Sequence, residues 1–286
     1  MKKDQINIRD PFVLYEDGKY YLYGTRAKNF GRLTNGFDVY VSDDLIEWSE
    51  PIECFCSEPY GLNAKVNWAP EVHKYNGKYY MFATFTQETR KLGTYCLRSD
   101  SPLGPFLPHS KGALTPKDWH SLDGTLYVDE TGIPYLIFCH EHSQITDGTV
   151  CYVRLSESLD FAEGEPITLF PASSCEWVDP ILDDHFVTDG PFMYRSKTNE
   201  LFMIWSSFIK GNYAECVVKF KNKKFGPDFE HAKPLIDSDG GHGMIFSDGK
   251  KTYFTYHTPN TSLSEHPEFR EIEDLGDCIN IKNKPI

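Results

Sequence analysis

A degenerate phrase recurs five times along this chain, and each copy joins a polar turn to an aromatic-rich run. Two clear copies are Glu16–Tyr23, EDGKYYLY, and Asn76–Phe82, NGKYYMF; the turns of all five copies lie at positions 18, 77, 132, 199 and 249. A turn of this type followed by aromatic and β-branched residues indicates a hairpin. Internal repeats at roughly 50-residue spacing are typical of propellers and solenoids.

The repeats predict an all-β fold, a five-bladed β-propeller that forms a single domain over residues 1–286. The 286 residues are 40% hydrophobic and 15% aromatic, which suits one large closed repeat architecture better than two globular domains. No long segment has a 3.6-residue hydrophobic period, so we expect very little helix. The central channel of a propeller is where we expect the functional residues.

Charge and cysteine pattern narrow the function classes. The net charge of −13 disfavours nucleic acid and anionic membranes as partners, and no basic cluster is present. No stretch approaches the roughly 20 apolar residues that span a bilayer. The N-terminal residues lack the apolar segment of a signal peptide, and the eight cysteines form no CxxC pair. These features favour the cytoplasm, with secretion as the alternative if a leader was removed.

Three aspartates precede Pro or Gly at the start of three repeats: Asp10-Pro11, Asp123-Gly124 and Asp189-Gly190. Each alone is an ordinary turn former. Together, at what we interpret as equivalent positions before the inner strands, they predict three carboxylates facing one channel. Because three ionised carboxylates repel each other, their pKa values should be pushed apart, which can provide one acid and one base.

Four motifs in order resemble glycoside hydrolase family 43, the five-bladed propeller enzymes that act on arabinose- and xylose-containing glycans. They are Arg9-Asp10-Pro11, Trp68–His73, Ser121-Leu122-Asp123 and Gly240–Gly243, and the resemblance runs from Asp10 to about Arg270. It implies that Asp10 is the catalytic general base. It also implies that Asp123 is the third carboxylate, which tunes the pKa of the acid and orients it.

The general acid is where this chain departs from the resemblance. The family usually has Glu in a Glu-Gly-Pro context, whereas this chain has Asp189, which is one methylene shorter. Glu176 from a nearby loop is the alternative acid, and a weakened or altered enzyme is a third interpretation. With Asp189 as acid, the resemblance implies a single-displacement inverting reaction, in which the two carboxyl groups lie about 6.5–9.5 Å apart.

The resemblance also implies residues that bind the substrate or an ion. His242 is expected at the channel centre, where it would hold water or a divalent cation. No cofactor is required, but Ca²⁺ held mostly by water oxygens would fit a structural or electrostatic role there. Trp68 is the best candidate for stacking on a sugar, ahead of Phe30, Trp119 and Trp177, and Arg270 is expected to bind substrate hydroxyls.

His140-Glu141-His142 resembles a metal clip. If the segment is a strand, His140 and His142 share one face and Glu141 takes the other, which argues against metal binding. Contact of one member with the substrate remains open.

The predicted function is an inverting glycoside hydrolase whose partner is an oligosaccharide or polysaccharide. An α-L-arabinofuranosidase is slightly favoured over a β-xylosidase. The alternatives are another five-bladed glycosidase or phosphorylase family and a non-catalytic carbohydrate-binding propeller.

Overall fold

The computed structural model describes residues 1–29, 35–62 and 66–286. Within these ranges the strands form five antiparallel four-stranded sheets, each built from four consecutive strands. The first two sheets contain β1 (Ile8–Glu16), β2 (Lys19–Arg26), β3 (Gly36–Ser42), β4 (Ile52–Cys56), and then β5 (Asn67–Tyr75), β6 (Lys78–Thr86), β7 (Leu92–Ser99) and β8 (Leu107–Pro108).

The other three sheets repeat this plan. The third contains β9 (Ser121–Val128), β10 (Pro134–His140), β11 (Thr149–Leu155) and β12 (Ala162–Pro171); the fourth contains β13 (Asp189–Arg195), β14 (Leu201–Ile209), β15 (Asn212–Phe220) and β16 (Phe229–Ile236); the fifth contains β17 (Gly241–Ser247), β18 (Thr252–Thr258), β19 (His266–Asp274) and β20 (Ile279–Pro285). One four-residue α-helix, α1 (His142–Ile145), is the only α-helix in the described ranges.

The five repeated turns join the first and second strands of the five blades, as the sequence predicts. Gly18, Gly77 and Gly249 adopt φ values of 79°, 74° and 81°. These lie in the left-handed region, where glycine has no Cβ to clash. The aromatic residues after each turn form the second strands, and Phe82, Phe138, Phe202 and Phe254 are fully buried there. The prediction of a five-bladed β-propeller with little helix is therefore confirmed.

In the first four blades the fourth strand was not located from the sequence, whereas the final strand expected near residues 278–281 corresponds to β20. β8 has only two residues, and most of β12 is exposed or half-buried. An outer edge strand is buried on few sides, so it carries neither a continuous apolar run nor a clean alternation.

The core lies between neighbouring sheets, and the ring closes between the last blade and the first. β1 packs against β17 and β18, while β2, β6 and β14 each pack against the first strand of the following blade. No helix in the described ranges has the length and apolar character needed to cross a membrane.

Candidate active site

Each innermost strand carries a β-bulge at the same position. In every blade, two residues of the first strand face one residue of the second. The first bulge residue has a positive φ in each case: Asp10 54°, Ala69 46°, Asp123 56°, Gly190 49° and His242 51°. Non-glycine residues rarely adopt this conformation, and bulges commonly re-aim side chains next to functional sites.

The bulges correct the predicted equivalence of the three aspartates. Asp10 and Asp123 are the bulge residues of their blades, but the matching residue of the fourth blade is Gly190. Asp189 precedes the bulge and is equivalent to Arg9 and Trp68. The Asp-Pro and Asp-Gly pairs are similar in sequence, but structural equivalence between blades is defined by the position of a residue relative to the bulge. All of these residues also lie within the first strands, not before them.

The bulges are anchored to one another around the ring. In four blades the N–H of the bulge residue donates to a side chain on the second strand of the preceding blade: Asp10 to His257 Nδ1 (3.2 Å), Ala69 to Thr25 Oγ1 (2.7 Å), Asp123 to Thr84 Oγ1 (3.0 Å) and His242 to Ser206 Oγ (2.6 Å). The acceptors occupy equivalent positions in their strands. The side chains of the central residues are therefore fixed by their backbone.

The bulge of the fourth blade differs because the preceding blade has Cys139 at the acceptor position. A thiol is a weak acceptor, and the N–H of Gly190 donates instead to Asp123 Oδ2 at 3.1 Å. A Cβ on Gly190 would lie 2.7 Å from the ring of His242. Glycine at this bulge therefore lets the backbone beside Asp189 approach both Asp123 and His242.

The first strands surround a central cavity of about 230 Å³. It is lined by Arg9, Asp10, Trp68, Leu122, Asp123, Glu141, Asp189, Tyr213 and His242. The structure thus brings together all three predicted carboxylates, the predicted histidine and the predicted aromatic residue. Asp10 and Asp123 are 7% and 5% exposed, so both are almost removed from solvent.

Asp10 is the carboxylate held in its ionised form. Burial opposes its charge, but the charges of His242 and Arg9 and the hydrogen bond from Thr25 outweigh this effect and lower its pKa. Oδ1 lies 3.2 Å from His242 Nδ1, and Oδ2 accepts a 2.6 Å hydrogen bond from Thr25 Oγ1. A buried carboxylate stabilised in this way can accept a proton from water at neutral pH.

His242 is the positive charge at the centre. Burial alone would lower its pKa, but the carboxylates of Asp10, Asp123 and Asp189 raise the pKa to about 9. The neighbouring His257 behaves in the opposite way: burial, together with the charges of Arg9 and His242, lowers its pKa to about 3. His257 is therefore neutral, which agrees with Nδ1 accepting from the Asp10 N–H.

The pKa values of Asp123 and Asp189 are raised, whereas the pKa of Asp10 is lowered. Burial raises the pKa of both, and the charge of Asp10 adds to this effect in each case. Asp189 Oδ2 accepts a 2.9 Å hydrogen bond from Tyr213 Oη, which reduces the shift in its pKa without reversing it. The cavity therefore combines one carboxylate whose pKa is lowered with two carboxyl groups whose pKa values are raised, the arrangement that acid–base catalysis requires.

Several residues predicted from the sequence lie elsewhere. Arg270 lines a groove between the fourth and fifth blades, together with Tyr256, instead of the central cavity. It lies on β19, the third strand of its blade, and its assignment to the substrate depended on loops of variable length. Glu176 is exposed and lines a different pocket, so the geometry favours Asp189 as the acid. Phe30 lies outside the described residues.

The segment His140-Glu141-His142 is not a continuous strand. β10 ends at His140, and Glu141 caps α1 by accepting a 2.7 Å hydrogen bond from the Ser143 N–H. The turn places Glu141 at the central cavity, where its charge contributes to the raised pKa of Asp189. Glu is not among the residues preferred at a helix N-cap, so the sequence carried no capping signal for this turn.

A directly coordinated metal does not fit the donor set of the described residues, because no group of three or more His, Cys, Asp or Glu side chains could hold an ion. His242 Nδ1 already faces Asp10 Oδ1 at 3.2 Å and Asp123 Oδ2 at 3.7 Å. The imidazolium supplies positive charge at the position proposed for Ca²⁺. A Ca²⁺ ion held through water beside His242 stays a prediction.

The sequence missed the residues that support the site, namely Thr25, Thr84, Ser206, Tyr213 and His257. They lie on second and third strands and have the composition of ordinary strand residues. Equivalent positions across blades distinguish Thr25, Thr84, Ser206 and His257, and this equivalence requires the bulge register. Tyr213 lies on a third strand and shares no such equivalence.

A five-bladed propeller with buried carboxylates and a cationic histidine at its axis defines a class of enzymes that use acid–base chemistry in a central cavity. The sequence model of glycosyl hydrolases family 43 matches residues 5–273, and the chain belongs to this family. It is therefore a glycoside hydrolase that acts with inversion.

Solved structures agree with this assignment. An endo-arabinase from Bacteroides thetaiotaomicron is 37% identical, with a TM-score of 0.86 and 96% of each chain covered. A thermostable family-43 glycoside hydrolase is 24% identical, with a TM-score of 0.84 and 98% of this chain and 94% of that chain covered. An endo-1,4-β-xylanase from Bacteroides thetaiotaomicron is 23% identical, with a TM-score of 0.78 and coverage of 98% and 96%. The last two show the shared fold.

Proposed function

We propose that this protein hydrolyses α-L-arabinosyl linkages in an arabinan-type polysaccharide. The observation that carries the proposal is the 37% identity to an endo-arabinase over 96% of both chains. The xylanase is similar at a level that supports only the fold. Arabinosyl linkages are therefore favoured over xylosyl linkages, in agreement with the preference from the sequence.

The proposed mechanism assigns Asp10 as general base and Asp189 as general acid. Asp10, whose pKa is lowered by His242 and Arg9 in spite of burial, removes a proton from a water molecule as that water attacks the anomeric carbon. Asp189, whose pKa is raised mainly by burial, donates its proton to the departing glycosidic oxygen. One C–O bond forms as the other breaks, so the configuration at the anomeric carbon inverts.

Asp123 acts on the acid instead of the substrate in this mechanism. Its Oδ2 accepts from the N–H of Gly190, the residue after Asp189, at 3.1 Å. This contact fixes the backbone that carries the acid. Trp68, which lines the same cavity, is proposed to stack on the bound sugar, and His242 to hold Asp10 in its ionised state.

The experiment compares hydrolysis of linear arabinan, of p-nitrophenyl α-L-arabinofuranoside and of p-nitrophenyl β-xyloside. Cleavage of arabinan with release of oligosaccharides supports an endo-acting arabinanase, whereas release of arabinose alone indicates exo action. The matched control is Asp10→Asn, which preserves shape but cannot accept the proton; we expect it to reduce turnover by on the order of 10²-fold or more. Exclusive cleavage of xylosyl substrates would overturn the proposal.

A further inference from the structure

A second pocket of about 480 Å³ lies beside the fourth blade. Its lining includes Glu176, Trp177, Asp179, Ile209 and Lys210, which we call the Trp177 surface. Trp177 is 40% exposed, and Glu176, Asp179 and Lys210 are exposed as well. An exposed tryptophan in a concave pocket with a few polar groups is typical of a ligand-binding surface.

The strand directions place this surface on the same face of the propeller as the catalytic cavity. β13 begins at the cavity with Asp189, and β14 returns antiparallel to it, so the turn from β14 to β15 lies on the face where β13 begins. Tyr213 after that turn lines the catalytic cavity, whereas Ile209 and Lys210 line the second pocket. One short hairpin therefore separates the two spaces.

The loop that carries Trp177 is fastened to the same hairpin. The N–H of Asp179 donates to the Phe208 carbonyl at 2.8 Å, and Asp179 Oδ2 accepts from the Lys210 N–H at 2.7 Å. Phe208 packs against Tyr213 with ring centroids 5.3 Å apart. A continuous set of contacts thus connects the Trp177 surface to Tyr213, which donates to Asp189.

The size of the catalytic cavity requires additional binding surface for a polymer. Its volume of about 230 Å³ is below the roughly 300–1,000 Å³ of sites that enclose a drug-sized ligand. A polysaccharide chain must therefore continue over the face of the propeller on at least one side of the cleaved bond.

The chemistry of the Trp177 surface suits a neutral sugar chain. The negative π-face of an indole attracts the partly positive C–H groups of a sugar ring, while carboxylates accept from sugar hydroxyls and an ammonium group donates to them. With both signs of charge around the ring, the surface has no preference for an anionic or cationic ligand. We propose that the Trp177 surface is a distal subsite that holds the glycan chain extending from the catalytic cavity, an inference that rests on the proposed function.

The experiment measures kcat/KM for linear arabinan and for arabinotriose, and compares the ratio of the two values in Trp177→Ala with the ratio in the unmodified protein. We expect the polymer-to-trisaccharide ratio to fall about tenfold, which corresponds to about 1.4 kcal/mol. Trp177→Phe should restore most of the ratio because it retains an aromatic face. Phe161→Ala is the matched control: Phe161 is 54% exposed and lies between β11 and β12, on the opposite face of the propeller.

An unchanged ratio in Trp177→Ala, or an equal fall in Phe161→Ala, would overturn the subsite. If Trp177→Ala does not fold, Glu176→Gln decides, with a fall of about threefold expected from the loss of a charged acceptor and no change contradicting the proposal. Arabinan hydrolysis by the unmodified enzyme is measured first and tests the proposed function alone. If another polymer is cleaved instead, the same ratio is measured with that polymer and its trisaccharide.

Discussion

His242 controls the ionisation of the central carboxylates at the scale of single residues. Its pKa of about 9 means that the imidazolium persists through neutral pH. It lies 3.2 Å from Asp10 and 3.7 Å from Asp123. Its charge therefore compensates the unfavourable effect of burial on the Asp10 carboxylate more strongly than on the Asp123 carboxylate. One histidine thereby helps to separate carboxyl groups that share a cavity.

Replacing His242 tests this role. His242→Asn removes the positive charge, and Asn tolerates the positive φ of this position better than most residues. Because burial of Asp10 would then be less compensated, the pKa of Asp10 should rise. We expect the acidic limb of the pH profile of kcat/KM to move upward by about one pH unit or more. An acidic limb at its original pH would contradict the electrostatic role.

A second prediction at this scale concerns Asp189, the proposed general acid. Asp189→Asn cannot protonate a leaving group, and that loss matters most when the leaving group is poor. We expect hydrolysis of arabino-oligosaccharides to fall by on the order of 10²-fold or more, while aryl glycosides with acidic leaving groups lose much less. The alkaline limb of the pH profile should flatten.

Glu176→Gln and Glu141→Gln are the matched comparisons for Asp189. Glu176 lines the second pocket, whereas Glu141 shares the catalytic cavity with Asp189. If either variant shows the leaving-group dependence and Asp189→Asn does not, the acid has been assigned to the wrong residue.

At the scale of elements, the β-bulge is the unit that builds the site. The bulge of the fifth blade has the most elaborate anchor, because Ser206 Oγ accepts from the His242 N–H and donates to Glu215 Oε2 at 2.9 Å. The same Glu215 oxygen accepts from the Gly243 N–H at 3.0 Å. A fully buried carboxyl group thus holds both residues of the bulge that carries the central histidine.

Glu215 predicts a pH dependence of stability. Burial raises its pKa from the usual 4.5 to about 7, so the folded protein holds a proton that the unfolded chain releases. Its stabilising effect is complete below pH 4.5 and is lost as the pH rises toward 7 and above. Glu215→Gln keeps an acceptor but does not titrate, so from pH 5 to pH 8 it should gain about 2–3 kcal/mol relative to the unmodified protein.

Thermal or urea unfolding at both pH values measures this difference. Parallel pH profiles for Glu215→Gln and the unmodified protein would show that Glu215 does not titrate in this range.

The sequence predicted the central residues of the site but not the residues that support them. Asp10 and Asp123 were identified because each precedes Pro or Gly at the start of a repeat, and His242 because Gly240–Gly243 resembles a motif of the family. Asp189 was found but placed in the wrong register, since a bulge adds a residue without leaving a mark in the composition. Thr25 and Ser206 were missed because their role comes from contact with the next blade, which is distant along the chain.

At the scale of the whole molecule, the first and last blades must meet for the cavity to exist. Asn7 Nδ2 donates to the Glu265 carbonyl at 2.8 Å, and Arg9 Nη1 forms a 2.8 Å salt bridge with Glu265 Oε1. The Glu265 side chain is fully buried, and Arg9 also lines the central cavity. The contact that joins the ends of the ring is therefore part of the wall of the site.

Breaking this contact should weaken the ring as a whole. Glu265→Ala removes one partner of a buried ion pair, a change that typically costs about 3–5 kcal/mol. Because all five blades share one closed ring, we expect a single unfolding transition at a Tm lower by several degrees, with reduced activity from the displaced Arg9. The matched control is Glu273→Ala, an exposed position on β19, which should leave Tm within about one degree, since surface substitutions usually change stability by less than about 0.5 kcal/mol. Equal Tm values for the two variants would show that closure depends on the apolar packing of β1 against β17 and β18, and not on this ion pair.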